Sequence, residues 1–163
     1  MAKKSKLESI NYRIIDIQEL ELFIPMVLAE IADDFEEEKL GYGFTFDYSW
    51  NLKSDTFSVI VEVLYVYDQE KMNEILLKFL GLVEYEIQDL KQFLDLTNNE
   101  VKLPEEFLAI LTGIAISTMR GMIALRTVGK FQGDFYIPIL NPGDVVRDYL
   151  NSEKRTPNIA EEN

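Results

Sequence analysis

Whatever this chain does, it does without imidazole or thiol, for its 163 residues include no His and no Cys. Ser-His and Cys-His nucleophilic pairs are excluded, and with them the usual zinc ligand sets and any disulfide framework. Carboxylates are plentiful, 29 against 16 Lys and Arg, and two of them at a suitable separation perform acid–base work. In so acidic a chain such pairs arise by chance, and none sits on a recognisable catalytic scaffold. The run Asp33, Asp34, Phe35, Glu36, Glu37, Glu38 lacks the alternating ligands and central glycine of a calcium loop and reads as a solvated helix face. Gly41 and Gly43 lie among aromatics with no Lys-Ser or Lys-Thr behind them, so they do not form a phosphate-cradling loop. These observations predict a protein that is not an enzyme and uses no cofactor and no metal.

What remains is recognition by apolar surface. Read in steps of two, Tyr42, Phe44, Phe46, Tyr48 and Trp50 fall on one side of an extended segment, and Gly43, Thr45, Asp47, Ser49 and Asn51 on the other. That is a β-strand with one wholly aromatic face. Each large aromatic removes roughly 150 to 250 Å² from water, so the face amounts to on the order of 1,000 Å². A soluble monomer rarely leaves so much exposed. The cover is the chain's own helix, a second subunit, or an apolar ligand that comes and goes.

Length and composition place these residues in one domain: 163 residues, 47% hydrophobic and 12% aromatic, suffice for a packed core. We expect residues 1–11 to be an N-terminal tail, 12–152 the single domain, and 153–163 a tail with the composition of disorder. The net charge of −13 repels nucleic-acid phosphates and anionic lipid head groups, and favours basic proteins. Met1 to Lys6 is basic but is followed by Glu8, Asn11 and Arg13 where a signal peptide has an apolar stretch, so the default location is cytoplasmic. The longest apolar run, Phe107 to Met119, stops at Arg120, short of the roughly 20 residues of a membrane span. No membrane insertion is expected.

In chain order, Tyr12 to Ile24 alternates loosely between apolar and charged residues and reads as a strand. Pro25 opens a segment, Met26 to Leu40, that fits either a short helix or a structured connection. The aromatic strand follows, then a polar turn at Leu52 to Asp55 and a strand from Thr56 to Tyr67 apolar on both faces, hence central in its sheet. A fourth strand spans Glu74 to Gln88, and short polar connections suggest an antiparallel meander. Leu90 to Leu96 reads as a helical turn and Thr97 to Lys102 as a loop. Leu103 to Gly129 is the main helix, with Pro104, Glu105 and Glu106 at its start and Arg126 and Gly129 at its end. Phe107, Leu111, Ile114, Thr118, Met122 and Leu125 form one stripe on it, but Leu108, Ile110, Ala115, Ile116, Met119 and Ile123 make its other faces apolar too. Gly113 and Gly121 each cost about 1 kcal/mol relative to Ala, which close approach of another backbone would explain. Lys130 to Leu140 is an extended crossover bearing Phe131, Phe135 and Tyr136, and Asn141, Pro142 and Asp144 start a last helix to about Ser152.

Four strands about 4.8 Å apart and some ten residues long span roughly 19 Å by 33 Å, whereas a helix of about 22 residues covers roughly 33 Å by 10 Å. One helix leaves about half of the sheet bare, and its own far side as well. The subunit should therefore self-associate through the stripe Leu111, Ile114, Thr118, Met122, Leu125 with two-fold symmetry.

Four antiparallel strands, a long apolar helix, a proline-containing crossover and a short last helix in an acidic subunit resemble the SecB family of export chaperones over Tyr12 to Leu150. The local matches are Phe23, Ile24, Pro25 at the end of the first strand, and Phe44, Phe46, Asp47, Tyr48 in the second. Arg126 and Thr127 close the main helix, and Tyr136, Ile137, Pro138 follow in the crossover. The resemblance implies an α+β, SecB-like subunit in a homo-oligomer, a dimer of dimers, that holds unfolded preproteins or other non-native polypeptides without ATP. It implies client contacts on Phe44, Phe46 and Tyr48, with Phe131, Phe135 and Tyr136 nearby, so the whole face from Tyr42 to Trp50 is a candidate client-binding surface. Lys78 stands on the fourth strand where the resemblance expects an acidic outer face for docking the translocation motor SecA. Related SecB-like chaperones serve toxin–antitoxin systems, which makes an antitoxin the alternative partner. A non-catalytic protein with one dedicated, permanently bound partner is the remaining alternative.

Overall fold

The computed structural model describes residues 10–25, 39–67, 74–95, 100–129 and 137–151. Period-two alternation becomes four long strands, β1 (Tyr12–Phe23), β2 (Leu40–Asn51), β3 (Thr56–Tyr67) and β4 (Glu74–Ile87), in one antiparallel sheet. A 3₁₀ turn, Leu90–Phe93, follows, and then a two-residue ribbon of β5 (Leu94–Asp95), at the end of the expected helical turn, and β6 (Glu100–Val101), within the expected loop. The chain closes with α1 (Glu105–Thr127) and α2 (Pro142–Asn151). This is the α+β architecture that the sequence predicts: a four-stranded antiparallel sheet, a long apolar helix and a short last one. The Met26–Leu40 segment lies outside the described residues up to position 38, as do the two tails beyond Ile10 and Asn151 and the crossover aromatics Phe131, Phe135 and Tyr136.

Strand order differs from a simple meander. β2, β3 and β4 are consecutive neighbours, but β1 pairs with β4, giving β1-β4-β3-β2, a Greek-key arrangement with the chain direction reversed. Residue chemistry explains the order. The helix-side residues of β3 and β4 (Phe57, Val59, Val61, Val63, Phe79, Val83, Tyr85) are fully buried, which demands neighbours on both sides. β1 carries Asp16, Gln18, Glu19 and Glu21 and two register shifts against β4, features that suit an edge and blunt it. Residues 24–39 are ample chain to cross the three strand spacings of about 4.8 Å between β1 and β2.

Helix α1 lies against β3 and β4, burying Phe107, Leu108, Leu111, Ala115, Met119 and Ile123 at helical spacing. Rows of side chains cross the sheet beneath it: Tyr48, Val59, Val83, Ile17; then Phe46, Val61, Gly81, Glu19; then Phe44, Val63, Phe79, Leu22. Gly81 is the gap in the middle row, for a Cβ there would stand 2.5 Å from the Met119 sulfur. Two phenols bolt the layers together: Tyr85 donates to the Leu111 carbonyl at 2.7 Å, and the Tyr48 hydroxyl meets that of Thr112 at 2.8 Å. Helix α1 is long and apolar enough to cross a membrane by length and composition alone, a test that core helices also pass, and at 23 residues it exceeds the short apolar run read from the sequence. Its packing on the sheet is that of a core helix.

Candidate functional site

The five aromatics of β2 share the helix side, yet they do not share an environment. Trp50 and Tyr48 are 3% and 2% exposed and belong to the core. Phe46 and Phe44 are half-buried, and Tyr42 is 52% exposed. The rings nevertheless form one run: Phe44 to Phe46 is 6.2 Å between centroids, Phe46 to Tyr48 5.5 Å, and Tyr48 to Phe57 5.3 Å. Tyr42 leans on Tyr65 of β3 at 6.3 Å. The candidate client-binding surface thus divides. Tyr42, Phe44 and Phe46 present apolar area, whereas reaching Tyr48 or Trp50 would require opening the core.

Burial also sets the acid–base character of this region. Desolvation pushes the Tyr48 phenol up to about 12, with the Thr112 hydrogen bond opposing and the Asp47 charge reinforcing. Tyr65 is likewise pushed up to about 12, chiefly by burial, and burial raises Tyr85 further still. All three phenols are neutral in the folded state across the biological range.

Helix α2 contributes residues that sequence reasoning missed. The Tyr149 ring lies 4.9 Å from that of Phe46 and 5.1 Å, edge-on, from that of Tyr48, and its hydroxyl donates to Asp47 Oδ1 at 2.8 Å. The same carboxylate oxygen accepts the Tyr48 backbone N–H at 2.9 Å. Upstream of α2, the Arg120 guanidinium donates to the carbonyls of Ile137 (2.7 Å) and Pro138 (2.6 Å). The signal was present but incomplete: Val145, Val146 and Tyr149 have amphipathic spacing, which shows that α2 docks but not on what.

The proposed oligomer stripe of α1 divides as well. Leu111 is fully buried beneath the sheet, so it is corrected from an interface residue to a core residue, its backbone carbonyl held by Tyr85. Ile114, Thr118 and Met122 are half-buried and Leu125 is 77% exposed. On the outer side of α1, Ile110, Gly113, Ile114 and Ser117 border an open groove of about 980 Å³ that ends at Pro142 and Gly143. Gly113 is explained within the chain, since a Cβ there would come within 2.9 Å of the Pro142 ring. Gly121 has open space around it, so no neighbour among the described residues accounts for it. A smaller polar hollow of about 400 Å³ at the end of the sheet is bordered by Asn11, Arg13, Asp55, Glu86 and Asp89, and Arg13 and Glu86 are ion-paired there. Among the described residues no three metal-binding side chains come together.

On the far face of the sheet, Lys78 of β4 is held by Glu21 at 2.8 Å and Glu62 at 3.8 Å. Both sheet edges carry an aspartate folded onto the next backbone N–H, Asp47 on β2 and Asp16, which accepts from Ile17 at 2.8 Å, on β1. β1 also leaves Tyr12, Ile14, Ile15, Ile17, Leu20 and Phe23 between 40% and 48% exposed.

No family model and no curated protein matches the chain. Among solved structures it is similar to a SecB-like chaperone of Mycobacterium tuberculosis, Rv1957, in complex with a ChAD peptide from the Rv1956 HigA1 antitoxin, at 12% identity and a TM-score of 0.49, over 83% of this chain and 91% of that one. It is also similar to a protein of unknown function from Streptococcus agalactiae, at 10% identity and a TM-score of 0.44, over 80% of this chain and 99% of that one.

Proposed function

We propose that this protein is a SecB-like chaperone that holds extended, apolar segments of non-native polypeptides without ATP, in the cytoplasm, and that it works as a homo-oligomer. The observation that carries the reading is the less covered half of the aromatic strand: Tyr42, Phe44 and the part of Phe46 that Tyr149 leaves open form a ring surface on β2, the last strand of the sheet. Ring faces are sequence-tolerant, large and rigid, which suits a binder of many segments. An extended client beside an open strand also finds backbone partners there.

Self-association follows from the same accounting of apolar area. The exposed side chains of β1 and the outer residues of α1, Ile114, Met122 and Leu125, call for cover that the described residues do not supply. Handover to SecA and service to an antitoxin are the two fates open to a held client. Lys78 favours the second, because it occupies Glu21 and Glu62 on the face where the family resemblance calls for free acidic side chains.

The test is suppression of aggregation of a chemically denatured client, without nucleotide, by the purified protein and by Tyr42→Ser and Phe44→Ser variants. We expect the wild type to suppress and the variants to lose most of that effect while keeping their melting temperature. Unchanged suppression by both variants would remove the aromatic surface from the function.

A further inference from the structure

Arg120 grips main chain where the other described arginines meet carboxylates. Arg13, Arg126 and Arg147 each pair with Glu or Asp side chains. Arg120 instead donates from Nε to the Ile137 carbonyl at 2.7 Å and from Nη2 to the Pro138 carbonyl at 2.6 Å. We propose that Arg120 is a positioning residue for client binding: it fixes residues 137–140 as a strap beside the open half of the aromatic strand, so that Ile139 makes a further client contact. This rests on the chaperone reading above and deepens it.

The place of Arg120 in the chain calls for a reason. It is the one charged residue between Glu106 and Arg126, and it is part-buried. A cation brought out of water is tolerated when hydrogen bonds replace its hydration, and charge-assisted bonds are the stronger kind. One edge of the planar guanidinium meets two successive carbonyls, a fit that the compact ammonium of lysine does not reproduce. What these bonds hold is backbone, so the side chains on that backbone are held in place with it.

The strap is fixed on both sides of Ile139. Ile137 is 1% exposed and Leu140 packs against the core, the Pro138 ring sets its own φ, and the Pro142 ring lies against Gly113 of α1. Between these anchors Ile139 is 94% exposed. Apolar residues exposed singly are ordinary, but this one stands on main chain that cannot fold back onto the core without breaking the Arg120 bonds. Its neighbours say where it stands. Gly113 meets Pro142 and the adjacent Thr112 meets Tyr48, which sets the strap on the β2 side of α1. Arg120, about two turns farther along the helix, is within electrostatic reach of Tyr65: burial raises that phenol, Tyr42 adds to the rise and the Arg120 charge opposes it. Because the Tyr65 ring leans on Tyr42, the gripped end of the strap lies toward the exposed end of the aromatic strand.

The probe is a fluorescently labelled peptide alternating leucine and serine, titrated with the full chain. Ile139→Ser should weaken binding about three- to tenfold, as loss of a partly buried aliphatic contact does, and should keep the melting temperature because the side chain is exposed. Arg120→Met keeps a long side chain of good helix propensity and removes both bonds; it should weaken binding by a similar factor. Because Arg120 acts through Ile139, the double variant should bind no more weakly than the weaker of the two single variants. Arg120→Lys, which can renew one bond of the two, should restore part of the affinity. If Arg120→Met fails to fold, Ile139→Ser and Arg120→Lys decide. Unchanged binding by Ile139→Ser or by Arg120→Met, or additive losses in the double variant, overturns the positioning role and leaves the chaperone reading intact, provided that Tyr42→Ser and Phe44→Ser still weaken binding. Light scattering on the same samples adds one more outcome: if Ile139→Ser loses self-association but not peptide affinity, the strap serves a second copy of the chain and the proposal is overturned. If the wild type neither binds the peptide nor suppresses aggregation, the chaperone reading falls and takes the positioning role with it.

Discussion

Two halves of one strand have the same alternation and the same kind of side chain but different surroundings. Trp50 and Tyr48 sit under α1 and are all but sealed from solvent, while Tyr42 stands half in water with Phe44 beside it. The break comes at Phe46, where α2 provides partial cover through Tyr149. Periodicity specifies which face a residue joins, and only tertiary packing specifies what lies over that face. Helix α1 repeats the division, with Leu111 buried against the sheet and Leu125 exposed on the same stripe. The core-forming surface therefore runs on into the surface proposed for binding, and a substitution tells them apart by whether it changes stability or association.

The largest contrast is expected on α1. Leu111→Glu places a carboxylate in an apolar layer with no partner, which is strongly unfavourable, and the variant should fail to fold. Leu125→Glu leaves the fold intact, because its side chain is exposed in this chain, but should break self-association. Ile114→Glu, half-buried, should dissociate the assembly with a smaller loss of melting temperature than Leu111→Glu. Light scattering during size-exclusion chromatography, with circular dichroism on the same samples, decides. A wild type that is monomeric at micromolar concentration would sink the self-association argument outright.

Next in size is the contrast along β2. Tyr48→Ala and Trp50→Ala should each cost about 3 to 5 kcal/mol of stability, the usual range for truncating a large core aromatic. Tyr42→Ala should change stability by roughly 0.5 kcal/mol or less, as surface substitutions do. Urea denaturation measures all three. Similar losses at Tyr42 and Tyr48 would mean that the exposed half is covered by something else in solution, which is the dedicated-partner alternative.

High pH sharpens the same comparison. A tyrosine whose folded pKa is raised contributes stability that is present below its unfolded value near 10 and lost as pH rises through the folded value. With Tyr48 and Tyr65 pushed up to about 12, the unfolded chain loses those protons first, so stability should fall between about pH 10 and 12. Tyr48→Phe should flatten part of that fall relative to the wild type. Tyrosinate absorbance followed with denaturation at each pH tests this. Identical profiles for Tyr48→Phe and the wild type would show that the buried Tyr48 phenol is not a cause.

Much of the fold was legible because its signals are local. The strand Leu40–Asn51 carries strict alternation and Thr56–Tyr67 a two-faced apolar run, on either side of a polar turn, and the helix starting after Pro104 announces itself by its acidic first turn. The neighbour of β1 was not legible, since nothing in an alternating strand names its pairing partner, and the meander was the economical but wrong choice for that one strand. The interface stripe met a similar limit: an all-round apolar helix does not say which side meets the sheet, and Leu111 went to the core. Asp47 looked like an ordinary outward residue, yet as an edge residue it turns to its own strand's N–H and to Tyr149. The crossover residues Phe131, Phe135 and Tyr136, proposed to border the client surface, fall outside the described residues.

The smallest expected effect concerns the rate at which the exposed half of β2 meets a client. Ordering an extended chain on a surface is costly, so a general holding chaperone gains from many apolar contacts once the client has arrived. Arrival itself is governed by the field, and a net charge of −13 per chain attracts basic segments from beyond contact distance. Basic, aromatic-containing peptides should associate faster than acidic ones of equal hydrophobicity. The difference should shrink as salt shortens the Debye length to about 10 Å at 0.1 M. Dissociation rates should respond far less, because ring contacts at Tyr42 and Phe44 are not screened. Stopped-flow measurements at two salt concentrations separate the two effects. Equal association rates at low salt would remove steering from the account, and binding of one specific protein but of no scrambled apolar peptide would hand the surface to a dedicated partner.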